Sequence, residues 1–210
     1  VYPNCKEIIG DVNIVGNDIT NVKALSRVEA ITGKFLLKDT KVDSFLCFSG
    51  LNKVKSFRMI NNDQLSYIND LKALIKIPDS LVVGDCPKLR SLDSWNTLEE
   101  VGWFTLTGNV SSMTEFNGLK NLKKAKSFFI YNTTGIKKIE FYNALTVNVI
   151  GLSNNANLKS IHGFNNTQHP SPCQQVIGDL WNGTELLVTN NDSLVILDAF
   201  HDLQCVGSIY

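Results

Sequence analysis

The chain has no run of about 18 apolar residues, so it contains no segment that could cross a bilayer as a helix. It also has no charge bias. Twenty basic residues balance twenty acidic ones, so no long-range field would draw it to nucleic acid or to an anionic membrane. Histidine is scarce, with only His162, His169 and His201, and the sequence supplies none of them with an acid–base partner. His201 stands beside Asp202, but adjacent residues of a strand point to opposite faces, so this pair reads as a surface turn. The cysteines show no C-x-x-C spacing, which removes a zinc site, and no cofactor motif is present, so no cofactor is expected. The start, Val1-Tyr2-Pro3-Asn4-Cys5, lacks the charged-then-apolar layout of a signal peptide and reads as a processed or trimmed secreted chain.

Five cysteines are present, at Cys5, Cys47, Cys86, Cys173 and Cys205, and disulfides are their most economical use. Cys173 and Cys205 bracket the most irregular stretch and are expected to pair. Cys5 with Cys47 is the second expected pair, which leaves Cys86 as a free thiol. Asn-x-Ser/Thr sequons begin at Asn109, Asn132, Asn165, Asn182 and Asn191, which suits passage through a secretory pathway and an extracellular location.

The chain is rich in internal repetition. A phrase Leu-x-x-Val recurs as Leu25 to Val28, Leu51 to Val54, Leu74 to Ile77, Leu98 to Val101 and Leu122 to Ala125, every 23 to 26 residues, the period of solenoid coils. Each phrase is followed by a short alternating apolar stretch and an Asn- or Asp-rich turn, as in Phe57-Arg58-Met59-Ile60-Asn61-Asn62 and Phe128-Phe129-Ile130-Tyr131-Asn132. Alternation with period two is a strand signal. A unit this small cannot bury its own apolar face, so successive coils must stack into parallel sheets. The expected architecture over residues 1–210 is a single right-handed parallel β-helix or solenoid. The Pro- and Asn-rich stretch at about 164–183 should protrude from it as an irregular insertion.

In this register the inward column of the principal sheet reads Phe35, Phe57, Leu81, Phe104, Phe128, Ile150 and Leu186, all apolar. The column Asp39, Asn61, Asp85, Gly108, Asn132, Asn154 and Asn190 reads as an inward-facing asparagine ladder. Asn132 would then be a poor glycan acceptor, with Asn109, Asn165, Asn182 and Asn191 the accessible ones. Calcium ligation by this column is disfavoured because it lacks concentrated carboxylates. The outward positions are Leu36, Arg58, Val82, Thr105, Phe129, Gly151 and Leu187, flanked by Ile60, Trp103, Tyr131 and Val149. Polysaccharide lyases and hydrolases on parallel β-helices place a cluster of Asp, or of Arg and Lys, there, and this row has no acid and a lone Arg58, so no catalytic role is expected. An outward apolar and aromatic stripe with Arg58 instead has the composition of a protein-binding face. Its expected occupant is an extracellular protein ligand or receptor, or a second copy of the chain. Self-coverage by a terminal segment or by the insertion is the competing account.

The run Cys5-Lys6-Glu7-Ile8-Ile9-Gly10-Asp11-Val12-Asn13-Ile14, followed by Leu25-x-x-Val28-x-x-Ile31-x-Gly33, resembles the opening of a receptor L-domain, the module that forms the ligand-binding lobes of insulin and epidermal growth factor receptors. The segments Asn61-Asn62-Asp63-Gln64-Leu65 and Asp85-Cys86-Pro87-Lys88-Leu89 are similar to stand-alone nematode L-domain proteins, and the likeness runs over nearly the whole chain. It implies a leucine-rich-repeat-like solenoid acting as a secreted, non-catalytic binding module, such as a decoy or co-receptor for a growth-factor-like or receptor ligand. The alternative is a structural, GPI-anchored cell-surface or cell-wall glycoprotein of the fungal Ecm type, whose coils share the same grammar.

Overall fold

The computed structural model describes residues 4–68, 71–116, 118–170, 184–203 and, for the backbone alone, 174–177, 180–182 and 206–209. Its organising element is a ten-stranded sheet. Strands Val12–Val15, Lys34–Lys38, Ser56–Ile60, Lys76–Gly84, Glu100–Thr107, Lys124–Tyr131, Leu145–Ser153, Thr184–Thr189 and Val206–Ile209 lie side by side in chain order, every neighbouring pair parallel. Parallel neighbours in sequence order require the chain to circle back between strands, which is a solenoid coil. A second wall carries short strands: Ser44–Phe45 pairs Tyr67–Ile68, and Glu115–Phe116, Lys138–Phe141, Ser160–Gly163 and Ile196–Ala199 form a four-stranded sheet.

The repeat register is the one the sequence predicts. Phe35 is opposite Phe57, Phe57 opposite Leu81, Leu81 opposite Phe104, Phe104 opposite Phe128, Phe128 opposite Ile150, and Ile150 opposite Leu186. All are buried. Ring centroids of Phe35 and Phe57 are 4.8 Å apart, and those of Phe104 and Phe128 are 4.9 Å apart, the sheet spacing itself. The Leu-x-x-Val phrase begins at a tight corner, where Leu51, Leu74, Leu98 and Leu122 donate their N–H to Phe48, Leu71, Trp95 and Leu119. Phe48 and Leu119 hold positive φ, which a bulky side chain tolerates only under tight packing, and both are fully buried.

The inward-facing asparagine ladder lies one residue beyond its expected place, although Asn61 Nδ2 in the expected column does donate to Asp39 Oδ1. Asp39, Asn61, Asp85, Gly108, Asn132, Asn154 and Asn190 all have φ between 49° and 72°. They form a left-handed corner, the conformation that Asn, Asp and Gly reach most cheaply. Gly108 is the one corner position without a side chain, and a Cβ there would stand 2.3 Å from the Asp85 carboxylate. The buried ladder is the next position along. Thr40 donates both N–H and O–H to Asn62 Oδ1, at 3.2 and 2.7 Å, while Asn62 Nδ2 donates to the Leu37 and Ile60 carbonyls. The same unit recurs where Thr133 donates to Asn155 Oδ1 and Asn155 N–H donates to Asn191 Oδ1.

Two further expectations are corrected. Cys5 and Cys47 are not joined: Cys5 Sγ donates to the Glu7 carbonyl at 3.2 Å, and Cys47 is sealed in the interior as a free thiol. Cys86 is also free, as expected, while Cys173 and Cys205 lie outside the described residues. The insertion is not simply a protruding loop. Thr167–Gln168 joins the principal sheet alongside Leu145 and Thr146, and Gln174–Ile177 pairs antiparallel with Leu180–Asn182.

Candidate protein-binding face

Period-two alternation turns every second residue of the principal sheet outward. The central outward row is Leu36, Arg58, Val82, Thr105, Phe129, Gly151 and Leu187, each opposite the next. One flanking row carries Ile60, Gly84, Thr107, Tyr131 and Ser153, and the other carries Ser80, Trp103, Ser127 and Val149. All the residues expected to form the face are therefore brought together on it.

Exposure within the face is uneven. Arg58 is exposed and Trp103 is 42% exposed, whereas Leu36, Val82, Phe129, Tyr131 and Leu187 are half-buried. Strands about 4.8 Å apart let side chains in one row cover each other's flanks. Phe129 has a further cause. A Cβ on Gly151 would lie 2.3 Å from the Phe129 ring, so the ring occupies the space that glycine leaves and shields the backbone of the next strand. Phe129 and Tyr131 meet edge-on at 6.5 Å, and Lys126 Nζ stands 5.1 Å from the centre of the Trp103 ring. The Phe129–Gly151 and Lys126–Trp103 pairings become legible only with the register, whereas Phe129 and Tyr131 share a face by alternation alone.

Charges line the nearby stretch of the same strands. Lys76 Nζ and Glu100 are 2.9 Å apart, with Lys124 on Glu100's other side at 3.9 Å. The hydrogen bond from Lys76 holds the Glu100 carboxyl below its usual range.

The glycan acceptors are rearranged by the ladder shift. Asn132 is exposed at its left-handed corner, not shielded. Asn191 is the engaged one, with Oδ1 accepting from Asn155 N–H and Nδ2 donating to the Leu152 carbonyl at 2.7 Å. Asn109 is exposed, Asn165 is half-buried with Oδ1 accepting from His201 N–H, and Asn182 ends a strand of the hairpin instead of lying in a loop.

Sequence reasoning missed one titratable cluster. Asp198 accepts from His201 Nε2 at 2.7 Å and approaches His162 Nδ1 at 3.5 Å, so the carboxylate that serves both histidines is not the adjacent Asp202. Register carries the signal, because His162 is directly opposite Asp198 across the four-stranded sheet. Both imidazoles hold the Asp198 carboxyl below its ordinary range.

A fungal cell-surface protein shares part of this sequence. Over 144 residues the chain is 27% identical to the cell surface GPI-anchored protein ECM33 of Candida albicans, a match covering 68% of this chain and 34% of that protein. The matched region thus spans about a third of the length of that curated relative. No family model matches the chain. No solved structure matches it either.

Proposed function

We propose that this is a cell-surface, non-catalytic β-solenoid of receptor L-domain character that binds an extracellular protein through the outward face of its principal sheet. The observation that carries the reading is the registered outward face, on which exposed Trp103 lies one strand from the Phe129–Tyr131 ring pair and exposed Arg58 three strands away on the same side. Aromatic and Arg side chains grouped on a rigid support are the composition of interface hot spots. A sheet built from stacked coils holds them at fixed spacing, which lowers the ordering cost of binding. Between a secreted decoy and an anchored surface protein, the similarity to a GPI-anchored surface protein favours the second. Glycans at exposed Asn109 and Asn132 would suit that location.

The test is affinity capture on intact cells and from their medium, using the wild-type chain, Arg58→Glu and Trp103→Ala. The expected result is a captured protein whose retention falls at least about tenfold in both variants, with unchanged melting temperatures. Retention equal to wild type in both would overturn the reading. Self-association of the wild-type chain that both variants abolish would assign the face to a second copy.

The specific competing reading is a rigid structural spacer and glycan carrier, favoured by the same similarity to a GPI-anchored surface protein. It predicts no partner that responds to either substitution.

A further inference from the structure

A second surface lies on the other wall of the solenoid. In strand Lys138–Phe141, Phe141 turns inward and stacks on Phe164, with ring centroids 5.0 Å apart and planes 17° apart. With Phe141 pinned, its two chain neighbours Glu140 and Tyr142 are forced outward. Tyr142 is left 64% exposed, far more than an amphipathic ring needs to hydrate its hydroxyl. It borders a cleft of about 430 Å³ lined by Gly118, Lys120, Glu140, Phe141, Tyr142 and Asn143, within the size range of small-ligand sites.

The lining combines one aromatic ring with hydrogen-bonding groups of both senses. Glu140 is fixed by Lys138 Nζ at 2.7 Å and lies 3.5 Å from the Tyr142 hydroxyl, and its carboxylate can accept further bonds. Asn143 is held by donation from Nδ2 to the Leu119 carbonyl at 2.9 Å, which fixes its amide while its oxygen remains an acceptor. Lys120 is only loosely held, 3.9 Å from Asp93, and can donate. Gly118 lines the cleft without adding a side chain.

We infer that this cleft binds a pyranose residue of a neutral oligosaccharide, with the Tyr142 ring stacked on the sugar's C–H face and Glu140, Asn143 and Lys120 engaging its hydroxyls. A sugar ring presents a flat apolar face bounded by groups that both donate and accept, and this lining offers the complement. An anion would meet Glu140, and a purely apolar ligand would strip water from Glu140 and Lys120 without replacing its hydrogen bonds. The site is on a different sheet from the proposed protein-binding face and is independent of it.

The experiment titrates the full chain with β-1,3-glucohexaose, mannohexaose and chitohexaose, using calorimetry and saturation-transfer NMR. At least one should bind, with Tyr142→Ala weakening it roughly tenfold and Tyr142→Phe keeping affinity within about threefold, because stacking survives loss of the hydroxyl. Both variants should melt like wild type, since Tyr142 is exposed. The inference is overturned if none of the three probes binds, if Tyr142→Ala binds like wild type, or if Tyr142→Phe loses as much as Tyr142→Ala. Arg58→Glu should leave oligosaccharide binding unchanged, so the two surfaces fail or succeed separately.

Discussion

Adjacent asparagines in one corner do different work. Asn154 has φ 54° and is exposed, so its value lies in tolerating a left-handed backbone. Asn155, its neighbour, is fully buried; its Oδ1 accepts from Thr133 and its Nδ2 donates to the Ile130 carbonyl, both on the preceding coil. Replacing Asn154 with Gly should change stability by no more than about 0.5 kcal/mol, because Gly enters this region freely. Asn155→Ala strands buried donors and an acceptor and should cost about 2–4 kcal/mol, read from urea denaturation midpoints. The sequence displayed both asparagines, but composition alone could not say which one turns inward. That depends on where the corner bends, and the one-residue error in the expected ladder came from this.

For an individual strand, outward residues are not automatically solvent residues. In the strand Lys124–Tyr131, Phe129 faces out yet is half-buried because its ring lies over Gly151 of the neighbouring strand. Phe129→Ala should therefore uncover the Gly151 backbone and lower stability by about 1–2 kcal/mol in thermal or denaturant unfolding. The exposed Trp103 should tolerate the same truncation with little loss. This contrast separates residues available to a partner from residues that complete the sheet. The alternation that identified the face was legible from sequence, and the register pairings of the central outward row agree with it. The cross-strand cover was not, because Phe129 and Gly151 are 22 residues apart and become neighbours only when coils stack.

For the molecule as a whole, the coils share one interior. Phe35, Phe45, Phe48, Phe57 and Trp95 form a continuous aromatic cluster across successive coils, with centroid separations from 4.8 to 6.4 Å. Cys47 and Cys86 belong to the same buried core. Burial pushes the Cys47 thiol up to about 12 and the Cys86 thiol up to about 11, so neither is a nucleophile near neutral pH while folded. A thiol reagent at pH 8 should label half-exposed Cys5 in the native protein, and Cys47 and Cys86 only on unfolding. Peptide mapping across a denaturant series should place both buried thiols at one midpoint, because the cluster ties their coils together. Separate midpoints would reveal coils that open independently.

The sequence by itself determined the period, the inward apolar column, the outward row and the solenoid that follows from them. Those features rest on a repeat period and an alternation that can both be counted along the chain. Only the tertiary structure decided that Cys5 and Cys47 stay apart, which asparagine enters the ladder, that Asp198 serves two histidines, and that Glu140, Asn143 and Tyr142 line a common cleft. Each of these depends on how the chain turns its corners and on which side chains of different coils come to lie together, and neither is encoded in local pattern.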